Sequence, residues 1–338
     1  MNRTLPRTVM RERGVTLVEL MVAMAIGLIV VAGLSLMFAN SSRSGRELEG
    51  TSRQIENGRY AAELLAQEIA AAGFYGDVPQ QGAVYTEPGA CSTDVALLGW
   101  DQASKKRPVA LEGKSASELG TLACVTQPLP GSAGLVLRRA DTVPTAQADI
   151  DDSKGIGYVQ TSQCNADPAN IEYLFGSQKS GFTLRNLNCT GPGQVRRYLS
   201  RIYYVAACNE CAGTAADTVP TLKRAELQGA DVVVTPLATG IERMAVEYGF
   251  DTDYDGTPDT YRTGPNATPG TEDGKWSNVV TARIYVLARA AEVTAGYVDS
   301  KTYVLGLSGT LGPFNDAYKR KVFVTTAKIQ NVAGPRER

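Results

Sequence analysis

The chain has 338 residues, of which 43% are hydrophobic and 20% are charged. This length and apolar content are enough for a buried core, in one large domain or two smaller ones, and exclude a disordered chain. The net charge of −1 excludes a broadly basic surface of the kind that binds nucleic acid without sequence preference.

A basic segment followed by an apolar run opens the chain. Residues 15–39 carry no charged side chain except Glu19, and a helix of this length spans about 30 Å of hydrocarbon. A secretory signal places its small-residue cleavage site after the apolar run, whereas Gly14 lies before it. We therefore expect a leader at residues 1–14 and a transmembrane helix at 15–39. The leader's basic residues are Arg3, Arg7, Arg11 and Arg13.

The helical pattern continues over residues 40–73 with an amphipathic character. Apolar residues recur every seven positions with Leu65 between two of them, and Gly73 is a typical helix end. The repeating positions are Leu48, Ile55, Ala62 and Ile69. Glycines lower helix propensity, so we expect them to permit local bending. They are Gly27, Gly33, Gly45, Gly50 and Gly58.

Residues 74–338 predict a β-rich, mainly antiparallel domain, with a division into two lobes near residue 190. Short segments rich in β-branched and aromatic residues alternate with loops rich in Gly, Pro and Asp. The predicted strands are Val95–Leu98, Gly134–Arg139, Phe182–Leu187, Val195–Ala207, Asp231–Thr235, Ile241–Phe250, Asn278–Ala288 and Lys321–Ile329. The predicted exposed loops are 101–120, 144–155, 209–220 and 262–275. The predicted fold class is α+β, with a long N-terminal helix packed on a β-rich domain.

All six cysteines lie beyond the predicted helix, and an even number in an exported domain predicts disulfides. Six cysteines allow 15 pairings. The spacing suggests Cys91–Cys124, Cys164–Cys189 and Cys208–Cys211. The C-N-E-C run of the last pair could instead be a redox motif or half a zinc site, but the chain has no histidine and no second CxxC. A small disulfide-closed turn is the favoured interpretation, because a thioredoxin-like βαβ context is missing.

One acidic loop has the spacing of a calcium site. Asp251, Asp253, Asp255, Gly256 and Asp259 match positions 1, 3, 5, 6 and 9 of an EF-hand loop, where carboxylates converge on a hard cation. Position 12, normally a bidentate glutamate, is Arg262. The alternative is an acidic hairpin loop, because Asp and Gly favour turns on their own account. We expect no required cofactor, and calcium as the optional one.

Catalysis finds little support in the sequence. Without histidine there is no Ser-His-Asp or Cys-His arrangement, and no glycine-rich phosphate loop follows a strand and opens a helix. The adjacent acids Asp151 and Asp152 lie beside Ser153 and Gly155, which is typical of a solvated turn. We therefore predict a protein that is not an enzyme.

The N-terminal residues resemble the type IV prepilin signal. In that family a dedicated peptidase cuts after the glycine, the new N-terminus is methylated, and the fifth residue of the product is glutamate. The resemblance implies cleavage after Gly14, an N-methylated Val15 and a role for Glu19 in assembly and methylation. A carboxylate in a membrane segment needs a partner, and the resemblance supplies the ammonium of Val15 on an adjacent subunit.

Later motifs look like the PilW family of minor pilins, and the resemblance depends mainly on the order of these motifs along the chain. They are Gly58–Gly76, Leu135–Ala140, the Y-Y-V-A-A-C strand before L-K-R-A-E-L, Glu247–Gly256, Trp276–Val286 and Val322–Asn331. The resemblance implies a structural subunit of a tip or priming complex that initiates pilus assembly and supports adhesion and twitching motility. It implies the prepilin peptidase, other minor pilins, the major pilin and a tip adhesin as partners.

The same resemblance implies a single-pass inner-membrane protein with its C-terminal domain in the periplasm, and later a place at the pilus tip. One alternative is a minor pseudopilin of a type II secretion system, which shares the helix and a similar β domain. Another, from a different class, is a calcium-responsive adhesive or sensory ectodomain on a membrane anchor. That alternative predicts no cleavage directed by Gly14.

Overall fold

The computed structural model describes residues 14–79, 82–168, 171–265 and 275–337. The chain divides into two compact units, Met1–Gly50 and Thr51–Arg338. The leader arginines and residues 266–274 of the predicted loop 262–275 lie outside the described residues.

The first element is the helix α1, Leu17–Ala71. It ends two residues before Gly73, whose φ of +74° allows the left-handed conformation that commonly follows a helix. The Gly73 amide donates to the carbonyl of Arg138, so the chain leaves the helix directly beside a strand. Two shorter helices follow in the described residues, α2 at Ala116–Thr121 and α3 at Gln330–Ala333.

The rest of the described chain consists mainly of strands and loops. The strands are β1 Val84–Thr86, β2 Lys106–Pro108, β3 Leu111–Lys114, β4 Gly134–Ala140, β5 Tyr158–Thr161, β6 Tyr173–Gly176, β7 Val195–Ala206, β8 Thr221–Gln228, β9 Asp231–Thr239, β10 Ile241–Phe250, β11 Thr260–Arg262, β12 Val279–Arg289, β13 Tyr303–Val304, β14 Thr310–Leu311 and β15 Arg320–Lys328.

Two larger antiparallel sheets carry the second unit. A seven-stranded sheet runs in the order β3-β4-β7-β5-β6, and β8 and β9 extend it from β7. A four-stranded sheet runs in the order β11-β10-β12-β15. Because β7 follows residue 190 and pairs with β4 and β5, which precede it, the seven-stranded sheet crosses that position. The predicted α+β class, a long helix followed by an antiparallel β-rich domain, is confirmed.

The last turns of α1 form the centre of the main core. Ala61, Ala62, Leu65 and Ile69 are buried against both large sheets. In the four-stranded sheet, Met244, Val246 and Tyr248 alternate towards this core, and Val246 pairs with Ile284 of β12. The heptad positions Ala62 and Ile69 are thus core residues, whereas Leu48 is exposed.

Two of the predicted strands are wrong. Val95–Leu97 is a single turn of 3₁₀ helix, because the Asp94 carboxylate accepts from the amide of Ala96 and caps it. Phe182–Leu187 contains no named strand, although Phe182 and Leu184 are buried. The Leu184 amide donates to the side-chain Oε1 of Gln160 at 2.9 Å, so a side chain takes the place of a neighbouring strand.

The predicted exposed loop 101–120 is also wrong. It contains β2, β3 and the start of α2, and Val109, Ala110 and Leu111 are buried. Ser115 and Glu118 start α2 with a capping box, in which each side chain bonds the other residue's backbone amide. The remaining predicted strands fall within two residues of β4, β7, β10, β12 and β15, and Asp231–Thr235 is the first half of β9.

Candidate functional site

Thr16 and Glu19, which follow the predicted cleavage site, form a capping box at the start of α1. Thr16 donates its amide and its Oγ1 to Glu19 Oε2, each at 2.9 Å, and the Glu19 amide donates to Thr16 Oγ1 at 3.2 Å. The Thr-x-x-Glu spacing of Thr16 and Glu19 is the sequence signal for this box, which is not among the predictions above. Glu19 Oε1 makes no hydrogen bond in the described part of the chain. Gly14 is exposed, and a Cβ added there would meet nothing within 4 Å.

The first unit exposes apolar side chains around the whole circumference of α1. Every large apolar residue from Val15 to Phe38 is exposed, with fractions between 52% and 76%. A helix that is apolar on all sides is stable when a membrane or other helices cover it. By length and composition α1 is the one described helix that could cross a membrane.

In the second unit, α1 lies on the four-stranded sheet through contacts that the heptad pattern did not reveal. The Gln54 amide group is buried and donates to the carbonyls of Ala288 and Lys319, at 2.7 Å and 3.0 Å. At Gly58, an added Cβ would come within 2.2 Å of the Phe323 ring of β15. Gly58 therefore permits close packing of α1 on β15.

All six cysteines form disulfides, and the three pairs are the ones suggested by spacing. Cys91–Cys124 joins the segment after β1 to the segment after α2. Cys164–Cys189 joins the loop after β5 to the segment before β7. Cys208–Cys211 closes a short turn in the loop between β7 and β8.

The acidic loop follows β10 and turns around Asp251. This residue is fully buried, and its Oδ1 accepts from the Tyr254 amide at 2.7 Å while its Oδ2 accepts from the Gly256 amide at 3.0 Å. Gly256 has a φ of +84°, and a Cβ there would lie 2.7 Å from the Ala333 carbonyl oxygen. Both the conformation and the space therefore require glycine at this position.

Three of the four predicted metal-binding acids converge in this loop. Ligand oxygens of Asp251, Asp253 and Asp259 all lie within 4.8 Å of one another, and Asp255 is not part of the group. Hydrogen bonds from the backbone and side chain of Thr252 hold the pKa of Asp259 below its usual range. The Asp255 carboxylate instead accepts from the amide of Thr257. The carboxylate oxygens of Asp251, Asp253 and Asp259 are ligands of the kind that suits a hard cation.

Two arginine side chains also belong to the surroundings of this acidic loop. Arg336 Nη1 lies 3.0 Å from Asp251 Oδ2, so this guanidinium already compensates the buried carboxylate. Arg262, at the position of the missing glutamate, lies over the Phe250 ring at 5.6 Å and supplies no oxygen ligand. The donor set therefore fits a cation only weakly.

Two family models match the chain. Residues 202–331 match the model described as type IV pilus-assembly protein W, PilW, and residues 9–35 match the prokaryotic N-terminal methylation motif. A search of curated protein sequences finds no significant relative. Among solved structures, a type IV-like pilin from Thermus thermophilus matches with 13% identity and a TM-score of 0.35, covering 83% of this chain and 98% of that one.

The two matches cover the N-terminal signal and the later motifs from the Y-Y-V-A-A-C strand to Val322–Asn331, whereas Gly58–Gly76 and Leu135–Ala140 lie outside them. The protein is a structural subunit and not an enzyme, is anchored by its apolar helix, and associates with pilus components. Together the two matches indicate a PilW-like minor pilin of the type IV pilus.

Proposed function

We propose that this minor pilin belongs to the tip or priming complex that initiates pilus assembly, and that it supports adhesion and twitching motility. The observation that supports a processed filament subunit is the N-terminal arrangement, in which an exposed Gly14 precedes an apolar helix with Glu19 in its first turn. Before assembly the helix crosses the inner membrane with residues 74–338 in the periplasm. In the filament, neighbouring helices replace lipid around residues 15–39.

The prepilin peptidase is the first proposed partner, and it cuts after Gly14. The new ammonium group on Val15 of one subunit then pairs with Glu19 of its neighbour. The second carboxylate oxygen of Glu19 supports this pairing, because the capping box engages only Oε2. Other minor pilins, the major pilin and a tip adhesin are the further proposed partners.

Intact-mass analysis of the membrane-extracted protein, from cells with and without the peptidase, tests this proposal. We expect a chain that begins with N-methylated Val15 only when the peptidase is present. A chain that begins at Met1 in both strains would contradict it and favour the anchored ectodomain. Deletion of the gene distinguishes a pilus subunit from a pseudopilin of a type II secretion system. Loss of surface pili supports the pilus subunit, whereas loss of exoprotein secretion supports the pseudopilin.

We further propose that the loop Asp251–Asp259 binds calcium weakly and that assembly requires no cofactor. The convergence of three carboxylates supports calcium binding. Arg336 already pairs with Asp251, and Arg262 replaces the glutamate of an EF-hand loop, so we expect weak binding, with a dissociation constant of about 10⁻⁴ to 10⁻³ M. Isothermal titration of the full chain in detergent should detect binding that Asp253→Asn abolishes. This variant leaves the Asp251–Arg336 pair intact, so a loss of binding does not reflect loss of the turn. Equal heats for both proteins would contradict the site.

A further inference from the structure

The loop at 207–220, between β7 and β8, places a buried lysine beside its disulfide. Lys223 of β8 is only 5% exposed, and its Nζ lies 3.1 Å from Cys211 Sγ. A buried ammonium is costly unless it is compensated. Burial lowers the pKa of Lys223, and the charges of Glu210 and Asp217 oppose that shift. In the described residues the sulfur is the partner of this ammonium at hydrogen-bond distance.

The two sulfurs of this disulfide have different surroundings. Cys208 is 2% exposed, and its Sγ lies 3.3 Å from the side-chain Oε1 of Gln127. Cys211 is partly exposed and faces the ammonium. A thiol on Cys208 could therefore donate to an amide oxygen, whereas a thiolate on Cys211 would be paired with a cation. Neighbouring cations lower the pKa of a thiol and make it reactive.

The loop is also held together by contacts that do not depend on the disulfide. The Asp217 carboxylate accepts from the amides of Asn209, Glu210 and Val219 at 2.8–2.9 Å. These hydrogen bonds hold the pKa of Asp217 below its usual range. Because they close the loop around Cys208 and Cys211, we expect the two sulfurs to stay close after reduction and the bond to form again readily.

The other two disulfides lack this arrangement. Among the described residues, the contacts of Cys91 and Cys164 sulfurs are backbone amides, those of Cys124 and Ala166. Their bridges also span 33 and 25 residues, against 3 for Cys208–Cys211. A disulfide stabilises a fold more as its loop lengthens, so the fold in turn protects the longer bridges more strongly against reduction.

We propose that Cys208–Cys211 is a thiol–disulfide exchange site that reacts with an exposed dithiol, such as the reduced CxxC of an oxidoreductase. The incoming thiolate attacks Cys211 Sγ, the Sγ–Sγ bond breaks, and Cys208 leaves and takes up a proton. The second thiolate of the dithiol then attacks the mixed disulfide and releases Cys211 as a thiolate paired with Lys223. The protein gains two electrons, the dithiol is oxidised to a disulfide, and of its two protons one ends on Cys208 and one in solvent. This site does not depend on the pilus function.

A redox titration tests the site on the full chain in detergent. The protein is equilibrated at pH 7 with graded ratios of reduced to oxidised dithiothreitol, and each cysteine pair is quantified by alkylation and peptide mass mapping. We expect Cys208–Cys211 to be half reduced at a ratio at least tenfold lower than either other pair. Lys223→Met should raise the required ratio about tenfold, which is ~30 mV for a two-electron couple, and Lys223→Arg should restore it.

Simultaneous reduction of all three pairs, or an unchanged ratio in Lys223→Met, would overturn the proposal. Thermal unfolding of the oxidised variants shows whether they are folded. A measurement on the unmodified sequence avoids any folding defect, namely the rate of Cys211 alkylation in the reduced protein as a function of pH. Lys223 contacts this sulfur, and the charges of Glu210 and Asp217 act on Lys223. We expect a midpoint below the ordinary thiol value of about 8.5, and a midpoint at or above it would contradict the role of Lys223.

Discussion

Gly58 shows how a single residue sets the distance between α1 and the four-stranded sheet. Because it has no Cβ, the Phe323 ring occupies the space where one would lie. From the sequence, this glycine differs in no way from Gly50, around which an added Cβ would meet nothing within 4 Å. The sequence could not separate the two, because the difference depends on a side chain 265 positions away in the chain.

We expect Gly58→Val to lower the free energy of unfolding by about 1–3 kcal/mol relative to Gly50→Val, since the added methyl groups overlap the ring. Both variants change helix propensity by the same residue exchange, so the comparison isolates the steric effect. Thermal unfolding of the full chain in detergent, followed by circular dichroism, measures the difference. Equal melting temperatures would show that Phe323 moves aside without cost.

At the scale of elements, Asp167 holds together the loop that contains Cys164. Its carboxylate accepts from Ser162 Oγ at 2.6 Å and from the Arg185 amide and Nε at 2.8 Å and 2.7 Å. These hydrogen bonds, first that of the Ser162 hydroxyl and then those of Arg185, lower the pKa of Asp167 to about 2. The loop is therefore tied to the segment before β7 by an ionised carboxylate as well as by a disulfide.

We expect Asp167→Asn to lower the melting temperature at pH 7. A carboxylate whose pKa is depressed in the folded state stabilises the fold above its unfolded pKa, near 3.9, and loses that contribution as the pH falls through the folded value. The difference between the two proteins should therefore shrink below about pH 4 and be lost below about pH 2. The exposed Asp149 serves as a control, and Asp149→Asn should leave the melting temperature at pH 7 unchanged.

The sequence predicted long, regular elements better than short, irregular ones. Ile241–Phe250 was predicted with its observed ends, because ten residues carry enough β-branched and aromatic side chains to identify a strand. Phe182–Leu187 has the same kind of composition, but its backbone bonds to Gln160, which no local pattern reveals. In the acidic loop the spacing of the carboxylates was visible, whereas Arg336 was not, because it reaches Asp251 from the far end of the chain.

At the scale of the whole molecule, Glu19 combines an observed role with a proposed one. Within the chain its carboxylate completes the capping box with Thr16. In the proposed filament its charge pairs with the N-terminus of a neighbour. A carboxylate within a membrane segment is unfavourable, so the charge of Glu19 favours departure from the bilayer wherever a partner is available.

Substitutions at Glu19 and Thr16 separate these roles. Glu19→Gln keeps an oxygen acceptor for the capping box but removes the charge, whereas Thr16→Val removes the hydroxyl and keeps the charge. We expect Glu19→Gln to remain in the membrane fraction and to be lost from sheared pili, and Thr16→Val to enter pili as the unsubstituted chain does. Immunoblots of the two fractions measure this distribution. If Glu19→Gln entered pili normally while Thr16→Val did not, the capping box rather than the charge would determine assembly, and the ammonium–carboxylate pairing between subunits would have to be abandoned.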